Sequence, residues 1–193
     1  MDLTSADATL LNIWSQLEEA ASRRSPFNFM QLATIAPSGA PRLRTVVIRD
    51  FRRDECAIAF TADARSSKIE DIRNDPRVAV TALDAVGGMQ LRLEGRADLV
   101  TDASRRIDAW RKLKARSHVL FRSSVAPGSK LQSPMEAWQS TPSEQASHEP
   151  SEHFALLLVH IERMDWLEVL SEPHRRCQFQ RSGSQWTGTW IAP

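Results

Sequence analysis

The densest concentration of donor chemistry in this sequence is Arg44-Thr45-Val46-Val47-Ile48-Arg49, followed by Phe60-Thr61, by Ser66-Ser67-Lys68 and by Gln90. These segments put basic and hydroxyl groups at strand ends and at a helix start, the parts from which an anion-binding cup is made. A phosphate dianion needs several convergent donors; guanidinium offers a bidentate contact and ammonium a point charge. Arg44 falls in mid-strand, where a lone charge is not expected to face a core without an anion to pair with. Ser66, Ser67 and Lys68 fall in the opening turn of a helix, where free backbone N–H groups and the helix dipole favour anions. Taken alone, that tripeptide reads as a helix cap followed by a solvated lysine. Its weight comes from Arg44 and Phe60-Thr61, upstream on neighbouring strands. A second, polar-aromatic cluster runs from Trp166 through Pro173-His174-Arg175-Arg176 to the terminal Trp190-Ile191-Ala192-Pro193.

The elements that must position these groups are legible in outline. Thr4 or Ser5 can cap a first helix, with Asp7 near the positive end of its dipole. Leu10, Ile13, Trp14, Leu17 and Ala21 form one amphipathic stripe, which Arg23-Arg24-Ser25-Pro26 ends. From Phe29 the pattern turns to strands: residues 32–35, a Pro37–Pro41 turn, residues 43–50, and residues 56–61 reached through an Arg52–Glu55 hairpin. A short helix starts at Ser66 or Ser67, carries Ile69 and Ile72, and stops at Asn74-Asp75-Pro76. Residues 78–83 and 89–95 are two further strands joined through Gly87-Gly88. A helix from Asp102 to about Lys114 follows, and residues 123–152 read as a long exposed loop. Strands at 154–161, 166–170, 176–180 and 186–191 complete the chain. About eight short strands with two or three helices between them predict a mainly β (α+β) fold, an antiparallel barrel with peripheral helices. The sequence reads as one domain, 1–193. No G-x-G-x-x-G and no βαβ alternation are present, which argues against a dinucleotide fold.

Composition excludes several classes. With 25 Lys+Arg against 24 Asp+Glu, no global field draws the chain to nucleic acid or to an anionic membrane. No apolar run approaches the roughly 20 residues needed to cross a bilayer, and the start lacks the pattern of a signal peptide. Cytoplasm is the default expectation. Cys56 and Cys177 read as buried thiols rather than a disulfide. His148, His153 and His160 are not spaced as a metal set, and no C-x-x-C or H-E-x-x-H occurs, so a zinc site is not expected. The basic run from Arg105 to Arg116 reads as a solvated helix face.

In the order of its motifs the sequence resembles the pyridoxamine-5′-phosphate-oxidase-like family of FMN-binding split β-barrels. Arg44 to Arg49 match that family's Arg-x-Val-x-x-basic motif, with Arg49 where Lys is usual. Phe60-Thr61 match its aromatic-Thr pair, Ser66-Ser67-Lys68 its Ser-Arg-Lys, and Met89-Gln90 its Arg-Gln. Trp166 and Arg176 match its late Trp and the Arg ten residues on, and the terminal Ala-Pro matches too. The resemblance implies an FMN cofactor at the interface of a homodimer, with a small-molecule substrate. Its phosphate would rest on Arg44, Ser66, Ser67 and Lys68, with Thr45, Val46, Val47, Arg49, Phe60 and Thr61 lining the site. Gln90 would meet the isoalloxazine edge, and Trp166 and Arg176 would reach it across the dimer. His174 and Arg176 are the candidate catalytic groups, for proton transfer or for stabilising reduced flavin.

The departures bear on substrate. Ser67 stands where a phosphate arginine is usual, with Arg65 as a stand-in. Glu172, Pro173 and His174 stand where the true oxidase has an Arg-x-His grip on the vitamin phosphate, and a carboxylate there repels a phosphate. The family's middle Gln-Ser pair has no clean equivalent. The leading expectation is an FMN-dependent oxidoreductase of unknown substrate. A flavin- or haem-binding barrel without turnover, and a true pyridoxamine-5′-phosphate oxidase, stand as alternatives.

Overall fold

In the computed structural model, which describes residues 5–137 and 149–193, eight strands form one antiparallel sheet that closes on itself. The chain runs α1 (Ala6–Ser22), β1 (Phe29–Ile35), β2 (Pro41–Arg52), β3 (Ala57–Asp63), α2 (Ser67–Asn74), β4 (Arg77–Asp84) and β5 (Met89–Leu99). It continues through α3 (Ala103–Arg111), α4 (Ala115–His118), β6 (Phe154–Glu168), β7 (Arg175–Ser182) and β8 (Gln185–Ile191). Strand order is β3-β2-β1-β4-β5-β6, and β6 returns to β3, so six strands make a closed barrel. The expected antiparallel split barrel with peripheral helices is what forms.

Period-two patterning decides the interior. Met30 and Leu32 on β1, Val78, Val80 and Ala82 on β4, and Leu91 and Leu93 on β5 are buried, while their sequence neighbours are more exposed. The split arises in β6. Sequence patterning divides this stretch at 154–161 and 166–170; the structure joins them into one strand of 15 residues. Its first half pairs with β3 (Ala57↔His160 to Asp63↔Phe154) and its second half with β7 (Arg163↔Gln180 to Glu168↔Arg175). The polar residues between the two apolar runs fall where β6 changes partner, at a bulge opposite Glu94 and Gly95. A Cβ on Gly95 would lie 1.9 Å from the His160 carbonyl oxygen, so only glycine lets the strands meet there.

Two apolar cores result. One fills the barrel and includes α1, whose Trp14 stacks on Phe51 (5.5 Å) and meets Trp186 of β8 edge-on (5.6 Å). The other lies outside it, where Ala57, Ala59, Leu156 and Leu158 of β3 and β6 are covered by Trp110, Leu113 and Phe121. Ser5 caps α1 through its side chain, and α3 is capped by Asp102. α4 and the turns at Val119–Phe121 and Pro134–Ala137 lie in stretches for which sequence patterning gives no element. Thr4 and His148 lie outside the described residues. Both cysteines are free and buried. Among the described residues no helix is long and apolar enough to cross a membrane, and no His/Cys/Asp/Glu group is suited to a metal ion.

Candidate anion site and ring face

The cationic cluster forms where β3 runs into α2. Asp63 ends β3, its carbonyl accepts from the Ser66 N–H (3.0 Å) and hydroxyl (2.7 Å), and Ser67 begins the helix. Ser66 occupies the cap position but its side chain makes no capping hydrogen bond. The hydroxyl instead accepts from Lys68 Nζ at 3.1 Å. The helix-cap reading of Ser66 therefore fails for its side chain; the Ile69 N–H is taken by the Ser66 carbonyl (2.9 Å), and those of Ser67 and Lys68 stand at the open start of the helix.

Arg44 reaches this corner from β2. It lies on the same face as Val46 and Ile48, so its guanidinium points to the mouth of the barrel rather than away from it. There Nη1 donates to the Leu32 carbonyl (3.2 Å) and to Thr34 Oγ1 (2.6 Å), and Nη2 approaches Asp71 Oδ2 at 3.3 Å. Asp71, fully buried on α2, also accepts from Thr34 Oγ1 (2.7 Å) and from Arg42 Nη1 (2.8 Å). Burial, then the neighbouring Arg44 charge, pushes the Lys68 ammonium below the ordinary lysine range against the pull of Asp63 and Asp71. Arg44 is lowered as well, by burial first, with Arg42 adding to it and Asp71 opposing. Among the described residues Lys68 makes no salt bridge. Arg42 and Arg44 thus share the Asp71 carboxylate beside Lys68, while the nearby Asp63 is taken by Arg65, an arrangement with surplus positive charge in a partly desolvated corner. Its donor set suits a phosphate group. Asp71, Thr34 and Arg42 were not legible as site residues. The one available hint is an aspartate set between the core residues Ile69 and Ile72.

The other expected residues divide. Ser67, Thr45 and Thr61 present side chains outward, while Val46 and Phe60 are core residues that can contribute only backbone. Val47 is half-buried on the outer face. Arg49 sits at a β-bulge, where Ile48 pairs with Phe60 but Asp50 with Ala59, and it leaves β2 on the face opposite to Arg44. It lines a cleft with Arg52, Arg105, Asp108 and Lys112, and its buried Nε has no hydrogen-bond partner. Burial, and then the charge of Arg116, lowers its pKa. Arg65, the expected stand-in for the missing phosphate arginine, is engaged by other groups in the free protein. It is clamped on Asp63 (Nη2–Oδ2 2.8 Å) and on the carbonyls of Ser123 and Ser124, tying β3 to the loop.

Around the second cluster the ions are paired. Arg176 holds Asp165 through two bonds (3.0 and 2.7 Å), and Gln178 adds a third at 3.1 Å. The Asp165 carboxyl is held below its usual range mainly by Arg176. The Gln90 carboxamide, oriented to satisfy both groups, accepts from Arg92 at 2.6 and 2.9 Å. Arg92, Asp165 and Gln178 line a groove of about 510 Å³ across β5 to β8. His174 is exposed on the turn before β7. Trp166 is placed differently from its neighbours. It faces inward and is fully buried, its N–H directed to Met89 Sδ (2.9 Å) and its ring edge-on to Trp190. Strand alternation places it on the core side, opposite to Asp165.

Fold and site thus define a split barrel with a cationic corner at the β3–α2 junction. Residues 11–101 match the family model described as pyridoxamine 5′-phosphate oxidase, FMN-binding domain. The chain is 32% identical over 171 residues to pyridoxine/pyridoxamine 5′-phosphate oxidase 2 of Arabidopsis thaliana, covering 81% of this chain and 83% of that protein. It is 37% identical over 103 residues to the pyridoxine/pyridoxamine 5′-phosphate oxidase of Mycolicibacterium paratuberculosis, which covers 53% of this chain but only 45% of that one. A pyridoxamine 5′-phosphate oxidase-related, FMN-binding protein of Nostoc punctiforme superposes over the full length of both chains with a TM-score of 0.81 at 27% identity. PhzG of Burkholderia lata, solved with tetrahydrophenazine-1-carboxylic acid, shares the fold at a TM-score of 0.77 and 20% identity, covering 100% and 95% of the two chains. The chain belongs to the pyridoxamine 5′-phosphate oxidase-like FMN-binding family.

Proposed function

We propose that this protein binds FMN, with the phosphate on Arg44, Ser66, Ser67 and Lys68, and serves as a flavin-dependent oxidoreductase acting on a small molecule. The observation that carries this reading is the pair Arg44 and Lys68, two half-buried cations brought together around a hydroxyl with too little negative charge to balance them. An incoming phosphate dianion supplies that charge and accepts from guanidinium, ammonium, hydroxyl and the N–H groups of the helix start. FMN supplies hydride or single-electron chemistry at its ring, and the protein supplies position and electrostatics.

The ring side of the site is proposed to be completed by a second copy of the chain. Phe29, Leu43 and Leu83 are 63%, 69% and 53% exposed on the outer face of β1, β2 and β4, a face that suits burial in a homodimer. Gln90, Arg176 and His174 are the outer-face groups available to a flavin ring there, and His174 is the one free to exchange a proton. The carboxylate of Glu172 beside it disfavours a phosphorylated substrate, so pyridoxamine 5′-phosphate is expected to turn over poorly. A second reading, flavin held without turnover, is favoured by the commitment of Arg176 to Asp165.

The first experiment is the visible spectrum of the purified protein, with any chromophore released and identified, followed by titration with FMN. Flavin absorbance near 450 nm or tight uptake is the expected result (on the general chemistry of flavins). A colourless protein that ignores added FMN overturns the reading. Photoreduced protein that reoxidises only with a particular acceptor favours the enzyme; protein that stays reduced in air and ignores NAD(P)H favours the non-catalytic binder.

A further inference from the structure

We infer that Asp71 and Thr34 are positioning residues, a buried relay that fixes the Arg44 guanidinium in the orientation in which it meets a phosphate. This deepens the reading of the cup as an FMN phosphate site and rests on it.

A fully buried carboxylate is costly unless charged and hydrogen-bonded partners surround it, and Asp71 has three: Arg42, Arg44 and Thr34. The geometry is directional. The Thr34 hydroxyl has one proton; it lies 2.7 Å from Asp71 Oδ2 and 2.6 Å from Arg44 Nη1. A guanidinium can only donate, so the hydroxyl must accept from Arg44 and give its proton to Asp71. That proton goes to Asp71 only while the carboxylate is an acceptor, and the lone pair is then turned to Arg44. The Leu32 carbonyl supplies another acceptor on the same nitrogen, at 3.2 Å. One nitrogen of Arg44 is therefore fully engaged and the second is steered by Asp71, which leaves Nε and the remaining Nη2 proton as the donors an anion can use. Asp71 also cancels part of the charge. Arg42, Arg44 and Lys68 against Asp71 leave a surplus that matches a phosphate dianion rather than a larger polyanion.

Two effects of removing Asp71 oppose each other. The corner becomes more positive, which draws anions; the fork loses its fixed orientation, which weakens the bidentate contact. The relay inference requires orientation to win, and Thr34→Val isolates it, because that change keeps shape and every formal charge while removing the hydroxyl. FMN and riboflavin affinities are measured by flavin fluorescence for wild type, Thr34→Val and Asp71→Asn, with thermal melts alongside. The expected result is FMN binding weakened about tenfold in Thr34→Val and more in Asp71→Asn, with riboflavin affinity unchanged, since riboflavin lacks the phosphate. A merely structural role would lower both affinities together. FMN binding as tight as or tighter than wild type in Thr34→Val overturns the relay while leaving the cup intact, even if Asp71→Asn fails to fold. Wild-type protein that binds riboflavin as tightly as FMN overturns the cup itself and the relay with it.

Discussion

Two ionic regions of this barrel are built on opposite plans. At the β3–α2 corner, Arg42 and Arg44 share one buried carboxylate, and Lys68, in no salt bridge among the described residues, is held below its ordinary range by burial and by Arg44. Along the β5–β6–β7 sheet three cations each hold a carboxylate of their own, Arg163 on Glu94, Arg176 on Asp165 and Arg175 on Glu168, and Arg92 is held by the Gln90 carboxamide. The second plan completes itself within the chain and adds register and rigidity; the first is left wanting an anion. Counting charged residues would rank the sheet as the richer site. Counting unbalanced charge picks out the corner.

The largest expected effect tests that contrast directly. Arg44→Ala removes a charge-assisted bidentate donor worth about 1.5–3 kcal/mol, so FMN affinity falls about ten- to a hundredfold by fluorescence titration. The pH profile sharpens it. Lys68, lowered in the free protein, loses its charge at a lower pH than an ordinary lysine, so FMN affinity falls as pH rises toward the alkaline range. The free protein shows the reverse sign. A lysine whose folded pKa is depressed binds protons more weakly than in the unfolded chain, so stability rises with pH between the two values. Lys68→Met should flatten both trends. Trends that survive in Lys68→Met would remove the lysine from the cup.

Next in size is Trp166. Read as core, Trp166→Phe leaves a void and removes one of the two N–H donors to the Met89 sulfur, lowering stability by about 2 kcal/mol while FMN affinity stays within twofold. An affinity loss without a stability loss would restore it to the cofactor.

Glu168 tests the self-neutralised side. Burial alone would raise its pKa. Hydrogen bonds from Ser171 and Arg175 and the N–H groups of Ser171 and Leu170 instead hold it at about 2. A carboxylate so depressed stabilises the fold above its unfolded value near 4.3 and loses that contribution as pH falls toward 2. Allowing for solvent screening, Glu168→Gln costs about 1–2 kcal/mol at pH 7, and the gap from wild type closes as the pH falls through that window, by urea denaturation. A gap that does not narrow would mean that Glu168 acts through shape and not charge.

How much of this was legible follows the kind of signal. Strand alternation announced Met30-Leu32, Val78-Val80-Ala82 and Leu91-Leu93 as inward faces, because burial of one sheet face leaves a period of two in the sequence. Motif order pointed to Arg44, Ser66 and Lys68, because groups that take up an anion must be cationic or hydroxylic wherever they fall. What stayed hidden depended on pairing between distant segments. The change of partner within β6 is written in which strands flank it, not in its own residues, so its polar middle read as a break. Arg65 is held by the carbonyls of Ser123 and Ser124, a contact that nothing in its own segment announces. Trp166 and Arg176 lie on opposite faces, since ten residues along a strand, a turn and a second strand do not preserve a face. Asp71 met both difficulties at once, because its partners come from β1 and β2.

The smallest effect is reserved for Arg176, where the two plans meet. By motif it belongs to the flavin; by geometry its guanidinium is taken up by Asp165 and shared with Gln178. If pairing governs, Arg176→Ala weakens FMN binding less than about threefold and lowers stability by no more than about 1 kcal/mol, as for a partly exposed ion pair. Asp165→Asn should then match it, and the double variant should show no further loss, the signature of a pair acting as a unit. If Arg176→Ala instead weakens FMN as much as Arg44→Ala does, while Asp165→Asn leaves it intact, the guanidinium leaves Asp165 when flavin arrives. The sheet would then be a reserve of cations released by the ligand, and the division between a balanced and an unbalanced region would hold only for the free protein.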